Sequence, residues 1–188
     1  MPGVMPDKWL TRWRERERRP LELSMIDQKA QFPTIVNELV DLGFVRAGSR
    51  TQECHHIQLY DETMVVVIPI DHAVTAYDEV TLADLCGEQL LQDPAEVAGW
   101  EEITRVERLH WPIMTDHEAL ELAATGAGIV VLPQSVARLY HRKDLTYRRV
   151  VDLEPQSIGL AWRIDNDDEG VQTFIGIVRG RTERSSRG

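Results

Sequence analysis

Two cysteines in 188 residues, Cys54 and Cys86, are too few for a disulfide framework, so stability has to come from an apolar core. Long hydrophobic runs are absent as well. The longest, residues 64–70 (MVVVIPI), falls far short of the roughly 18 residues a membrane-spanning helix requires. No signal-peptide pattern opens the chain, and with so little cysteine a reducing cytoplasm is the expected compartment. Phosphate-cradle chemistry is also missing. The glycines at Gly126-Ala127-Gly128 lack the longer spacing, the lysine and the hydroxyl of a P-loop, which leaves turn geometry as their plain reading. Positive charge is scarce, with 21 Lys and Arg against 31 Asp and Glu for a net charge of −10. Affinity for nucleic acid comes chiefly from neutralising phosphates, so unaided DNA binding is not expected.

What is present is an α/β pattern in a chain long enough for one domain or two small lobes. Residues 115–152 are the most informative. Ala119, Leu120, Leu122, Ala123 and Ala124 form the apolar face of a helix that Asp116 is placed to cap, and Thr125-Gly126 can end it. Residues 129–132 (IVVL) then read as a strand buried on both faces, stopped by Pro133 and followed by a second helix and a strand at 147–151.

Elsewhere, Asp7 can cap a helix over residues 8–19 with Trp9, Leu10 and Trp13 as its apolar stripe. Six basic residues there (Lys8, Arg12, Arg14, Arg16, Arg18 and Arg19) face two acidic ones (Glu15 and Glu17), a local net charge of +4 that leaves −14 on the rest. Such a run is a solvated face or a patch for an acidic partner, and it suits an antiparallel or head-to-tail homodimer. Residues 21–26 alternate like a strand, 35–42 read as a helix ended by Gly43, and 44–46 as a strand, giving β-α-β order. Two further strands are expected at 56–60 and 64–70, joined by a turn at Asp61-Glu62. A helical turn follows at 82–85 and a short strand at 88–91. A strand at 158–163 and a helix at 170–180 close the chain, before a polar, frayed tail at 181–188.

The run AATGAGIVVLPQSVA resembles a phrase, A-x-G-x-G-I-x-x-L-P-x-S-V-A, of the effector-binding half of LysR-type transcriptional regulators. Residues 64–91 resemble that family's strand, crossover and helix start, although Ala73-Val74 replaces the usual proline and leucine after His72. Trp162 in GLAWR and Phe174 in VQTFIGIVRG fit its closing strand and helix. Each motif is soft alone, but their order over almost the whole chain is specific. The resemblance implies two Rossmann-like lobes joined by two crossovers, the type 2 periplasmic binding protein fold. The first lobe would take residues 1–70 and 150–188, and the second 71–149.

It also implies a small-molecule effector, often anionic, held between the lobes against helix N-termini, where free N–H groups favour negative charge. Those termini would be Met5-Pro6-Asp7 and Thr115-Asp116. Asp7 departs from the serine or threonine common in the family and would repel an anion. Arg46 and Gln92, at strand ends, could supply the missing charge and a hydrogen bond; a surface ion pair is the other reading of Arg46. Family members begin with a winged helix-turn-helix, which this sequence does not contain, so DNA would be reached only through such an attached domain. The family's first strand precedes the P-G-V segment seen here at Pro2-Gly3-Val4. Its slot is therefore expected to be open, as in a truncated form, unless another segment fills it.

The expected function is an effector-binding and dimerising domain of a LysR-type regulator. The alternatives are a stand-alone dimerising or solute-binding protein that modulates a full-length regulator, and an enzyme. Cys54-His55-His56 is the feature that could support enzyme or metal chemistry, yet adjacent strand residues point to opposite faces and no third ligand stands at suitable spacing. Residues 165–169 (DNDDE) lack the glycine and distal glutamate of a calcium loop. No catalytic residue, metal or cofactor is expected.

Overall fold

The computed structural model describes residues 2–26, 28–46 and 51–180, so the expected tail at 181–188 lies outside the described residues. The apolar run that opens no membrane span organises one half of the molecule instead. It forms strand β3 (Met64–Pro69), which lies between two antiparallel neighbours, β5 (Val130–Pro133) and β6 (Leu145–Val150), while a short β4 (Glu79–Val80) pairs parallel to β6. The sheet order is β4-β6-β3-β5.

Alternation explains why that run is continuously apolar. Met64, Val66 and Ile68 join one buried cluster with Ile129, Val131 and Trp100 of helix α3 (Trp100–Ile103). Val65 and Val67 join another with Ala119, Leu120 and Ala123 of helix α4 (Asp116–Ala123) and Val136 of helix α5 (Gln134–Leu139). A strand covered on both faces has no solvent side to mark with polar residues. Gly126 ends α4 at φ 78°, a backbone that a Cβ would strain. Gly128 has a different role: a Cβ there would stand 2.3 Å from the Gln89 carbonyl oxygen, so the absent side chain permits a close approach of two backbones.

The other half is built on a three-stranded sheet of order β1-β7-β2, from β1 (Leu42–Arg46), β7 (Gln156–Arg163) and β2 (Cys54–Glu62), with β1 antiparallel to β7. On one face Leu160 and Trp162 pack with Trp9 and Trp13 of helix α1 (Asp7–Arg16) and with Val171, Phe174, Ile175 and Ile177 of helix α6 (Glu169–Val178). Trp9 stacks on Phe44 at 4.9 Å between ring centroids, and the Trp13 indole donates to the Arg19 carbonyl at 3.0 Å. On the other face Ala161 and Val45 meet Phe32 and Ile35 of helix α2 (Gln31–Val36).

The chain divides into two compact units, one of residues 1–60 and 157–188 and one of residues 61–156. Residues 64–70 therefore belong with the second unit rather than the first, because β3 is bonded to β5 and β6. No hairpin joins β2 to β3. β2 runs through Asp61 and Glu62, and a single residue, Thr63, separates two strands that belong to different sheets.

Four other expectations change. Residues 21–26 form no strand, and among the described residues no backbone hydrogen bond ties them to a neighbour. The helix expected at 35–42 is displaced to Gln31–Val36. It ends because Glu38 turns left-handed at φ 60° while its N–H and that of Leu39 reach back to the Ile35 and Thr34 carbonyls, a Schellman ending in which glutamate takes the usual glycine position. Helix α1 stops at Arg16, where Glu17 becomes extended. The strand expected at 88–91 shrinks to one parallel bridge, Leu90 to Ile129. Among the described residues, no helix is long and apolar enough to cross a membrane.

Candidate functional site

In the first unit, helix α1 starts at Asp7, so Asp7 occupies the first turn and is not the cap. Pro6 holds the cap position without a side-chain bond, and its carbonyl receives the Trp9 and Leu10 N–H groups at 2.8 and 3.0 Å. Met5 is exposed beside it. Arg46 is buried, 3% exposed, and donates from its guanidinium to the Pro2 carbonyl at 3.0 Å. It is not an exposed surface residue, and it holds the segment leading into α1 against the end of β1.

In the second unit Thr115, not Asp116, caps α4. The Thr115 hydroxyl accepts from the Glu118 N–H, and the Glu118 carboxylate accepts from the Thr115 N–H and hydroxyl at 2.8 Å each. Those two donations, the backbone one first, hold the Glu118 carboxyl below the usual glutamate range. Sequence reading missed this capping box although T-x-x-E at 115–118 spells it. Gln92 turns inward. Its amide accepts from the Val131 N–H at 2.7 Å and donates to the Val131 carbonyl at 2.9 Å, so it serves the edge of β5 as an extra strand residue would.

The structure therefore brings Arg46 together with the segment before α1, and places Gln92 against β5, whose sheet packs on α4. A further polar hollow of about 460 Å³ in the second unit is lined by Thr63, Gln134, Tyr147, Arg148 and Arg149 among others. The Tyr147 hydroxyl accepts from Arg138 at 3.3 Å and Gln134 at 3.4 Å, and the Arg138 contact holds its pKa below the ordinary phenol value. None of these residues is spaced in the sequence as a recognisable motif.

A family model for the LysR substrate binding domain matches residues 8–183. The chain belongs to that family. Curated relatives include the Hca operon transcriptional activator HcaR of Escherichia coli (strain K12), 23% identical over 96% of this chain and 63% of that protein. Another is the HTH-type transcriptional regulator AlsR of Bacillus subtilis (strain 168), 24% identical over 89% of this chain and 60% of that one. The chain spans about three fifths of the length of these relatives. Among solved structures, the BenM effector binding domain with its effector benzoate superposes with a TM-score of 0.79 at 19% identity, covering 95% of this chain and 86% of that one. Full-length CbnR complexed with its target DNA superposes with a TM-score of 0.74 at 19% identity, covering 98% of this chain and 68% of that one. These likenesses give the fold, that of the type 2 periplasmic-binding-protein-like domains.

LysR substrate-binding domains are the effector-binding parts of transcriptional regulators, and the chain is not an enzyme. The residues that could have suggested otherwise have structural work to do. Burial, with Glu53 adding to it, pushes the Cys54 thiol up and disfavours the nucleophilic thiolate. His55 packs on Trp162 at 5.5 Å. In the acidic run, Asp168 caps α6 by accepting from the Gly170 and Val171 N–H groups, and Asp165 is paired with Arg163. Among the described residues, no three His, Cys, Asp or Glu side chains group as metal ligands.

Proposed function

We propose that this LysR substrate-binding domain senses a small-molecule effector and assembles as a homodimer, passing the effector's bias to winged helix-turn-helix domains when these are attached. The observation that carries this reading is the family match over residues 8–183, supported by a fold shared with the BenM domain that binds benzoate. The proposed effector contacts are Met5, Pro6, Asp7 and Arg46 in the first unit and Gln92, Thr115 and Asp116 in the second. Asp7, Asp116 and Glu118 place carboxylates at both helix starts, which weakens any anion's attraction to the helix dipole. A carboxylate effector therefore needs Arg46. The reading places the protein in the cytoplasm, in keeping with two free cysteines.

Calorimetry with benzoate and a series of small aliphatic carboxylates tests this. A carboxylate that binds wild type should lose about tenfold or more in affinity on Arg46→Ala. Arg46→Lys, which keeps the charge but not the fork, should fall between. Because Arg46 also holds Pro2, melting temperatures of both variants check the fold. Unchanged affinity in a folded Arg46→Ala protein would remove Arg46 from the site, and absence of binding by the whole series would remove the carboxylate class.

A further inference from the structure

We infer that the polar hollow in the second unit is a binding site for a small polyhydroxylated carboxylate, a sugar acid, and that this site is distinct from the proposed effector contacts, none of which lines it. The sheet builds its floor. Register sets Val65 and Glu79 on either side of Arg149, and Val67 beside Tyr147. Side chains alternate along a strand, so Val65, Tyr147, Arg149 and Glu79 share one face, the face on which Val65 and Val67 meet α4 and α5. The start of α5 supplies a wall. The Gln134 N–H donates to the Thr63 carbonyl at 2.9 Å, and the Gln134 side chain reaches the Tyr147 hydroxyl at 3.4 Å. The hollow these groups frame measures about 460 Å³, inside the range of about 300–1,000 Å³ usual for small-molecule sites.

Charge selects the class of ligand. Around the hollow Asp78 and Glu79 offset Arg148 and Arg149, and Arg149 pairs with Glu79 at 3.1 Å. Arg138 tips the balance to a single positive charge. Its Nε donates to the Tyr147 hydroxyl at 3.3 Å, and among the described residues no carboxylate pairs with it. One anionic group answers that excess. The Tyr147 oxygen already accepts from Arg138 and Gln134, so its own hydrogen is left to donate. The Arg138 contact that holds the Tyr147 pKa down also makes that hydrogen a stronger donor to an anion. Hydroxyl groups on the ligand follow from what remains. Among the described residues, the Thr63 hydroxyl and the Gln134 side-chain carbonyl have no hydrogen bond, and a ligand hydroxyl, being donor and acceptor at once, suits both. The exposed Arg149 and Glu79 pair is weak enough to share its groups with further hydroxyls. An aliphatic acid would leave these groups without partners, and inorganic phosphate would bring more charge than the site offsets while leaving most of its volume empty.

Calorimetry on the full chain with gluconate, hexanoate and sorbitol separates the charge from the hydroxyls. Gluconate carries both and should bind saturably, about tenfold or more tightly than hexanoate, which has only the charge, or sorbitol, which has only the hydroxyls. With the tyrosines labelled at the phenol carbon, NMR should show the Tyr147 signal shift and its pKa rise when gluconate is bound, since a nearby anion disfavours the phenolate. Arg138→Gln, at an exposed position, and Tyr147→Phe, which keeps the ring, should each weaken gluconate about tenfold or more while the melting temperature holds. No gluconate binding, or equal binding of hexanoate or sorbitol, overturns the inference. So does unchanged gluconate affinity in both folded variants. A still Tyr147 signal with shifts at the Gln92 and Thr115 amides would assign gluconate to the proposed effector contacts and overturn a separate site.

Discussion

Trp13 shows how much of this protein rests on single side chains. It is 4% exposed, meets Phe174 at 5.9 Å and carries the hydrogen bond to Arg19. Trp13→Ala removes a large core side chain and is expected to cost about 3–5 kcal/mol, read as a lower urea midpoint. Against a typical total of about 5–15 kcal/mol, that is a large share. A smaller residue effect belongs to Glu118. Its folded value lies below the ordinary one, so its contribution to stability is present above the unfolded glutamate value and is lost as pH falls through the folded one. Thr115→Ala removes the hydroxyl, and an NMR titration of Glu118 should show its pKa rising toward the ordinary range. The roles of Trp9, Trp13 and Gly126 could be read from spacing and residue type, because they express local preferences. Gly128 could not, since the carbonyl it admits lies 39 residues away in the sequence.

Elements were legible in proportion to how much of their pattern is local. β3, β5, β7, α4 and α6 stand close to where the apolar runs and caps place them, because strands buried on both faces and amphipathic helices announce themselves. Residues 21–26 have the alternation but, among the described residues, no neighbour to bond, and a strand exists only with a partner. The turn expected at 61–62 failed for the same kind of reason: which sheet a strand joins is decided by the whole fold. The sheet-edge role of two glutamines was not legible. Gln31 and Gln92 each present an amide to the N–H and C=O of one strand residue, Arg46 and Val131, and so finish a sheet edge without a strand. Gln92→Leu should leave the buried Val131 groups unpaired at a cost of about 1–3 kcal/mol for each. Urea unfolding would measure the loss, and faster hydrogen exchange at Val131 would place it.

At the scale of the molecule, charge is unevenly shared. The exposed face of α1 carries Lys8, Arg12, Arg14 and Arg16 while Trp9 and Trp13 point inward, so the basic residues are presented to solvent on a protein of net charge −10. If that face joins two copies, native mass spectrometry and light scattering should show a dimer at low salt that weakens as ionic strength rises, since the Debye length falls from about 30 Å at 0.01 M to about 3 Å at 1 M. A dimer indifferent to salt would assign the interface to an apolar surface instead. The path of the chain through its two units also bears on how the protein is made. Residues 61–156 form an uninterrupted unit, but the first unit keeps its central strand, β7, and its helix α6 for the end. On the ribosome the second unit can therefore fold as soon as it emerges, while β1 and β2 wait, unpaired by β7, through the synthesis of nearly a hundred residues. During that interval the nascent chain displays bare strand edges and both tryptophans of α1, which makes this the stage at which chaperones have most to shield.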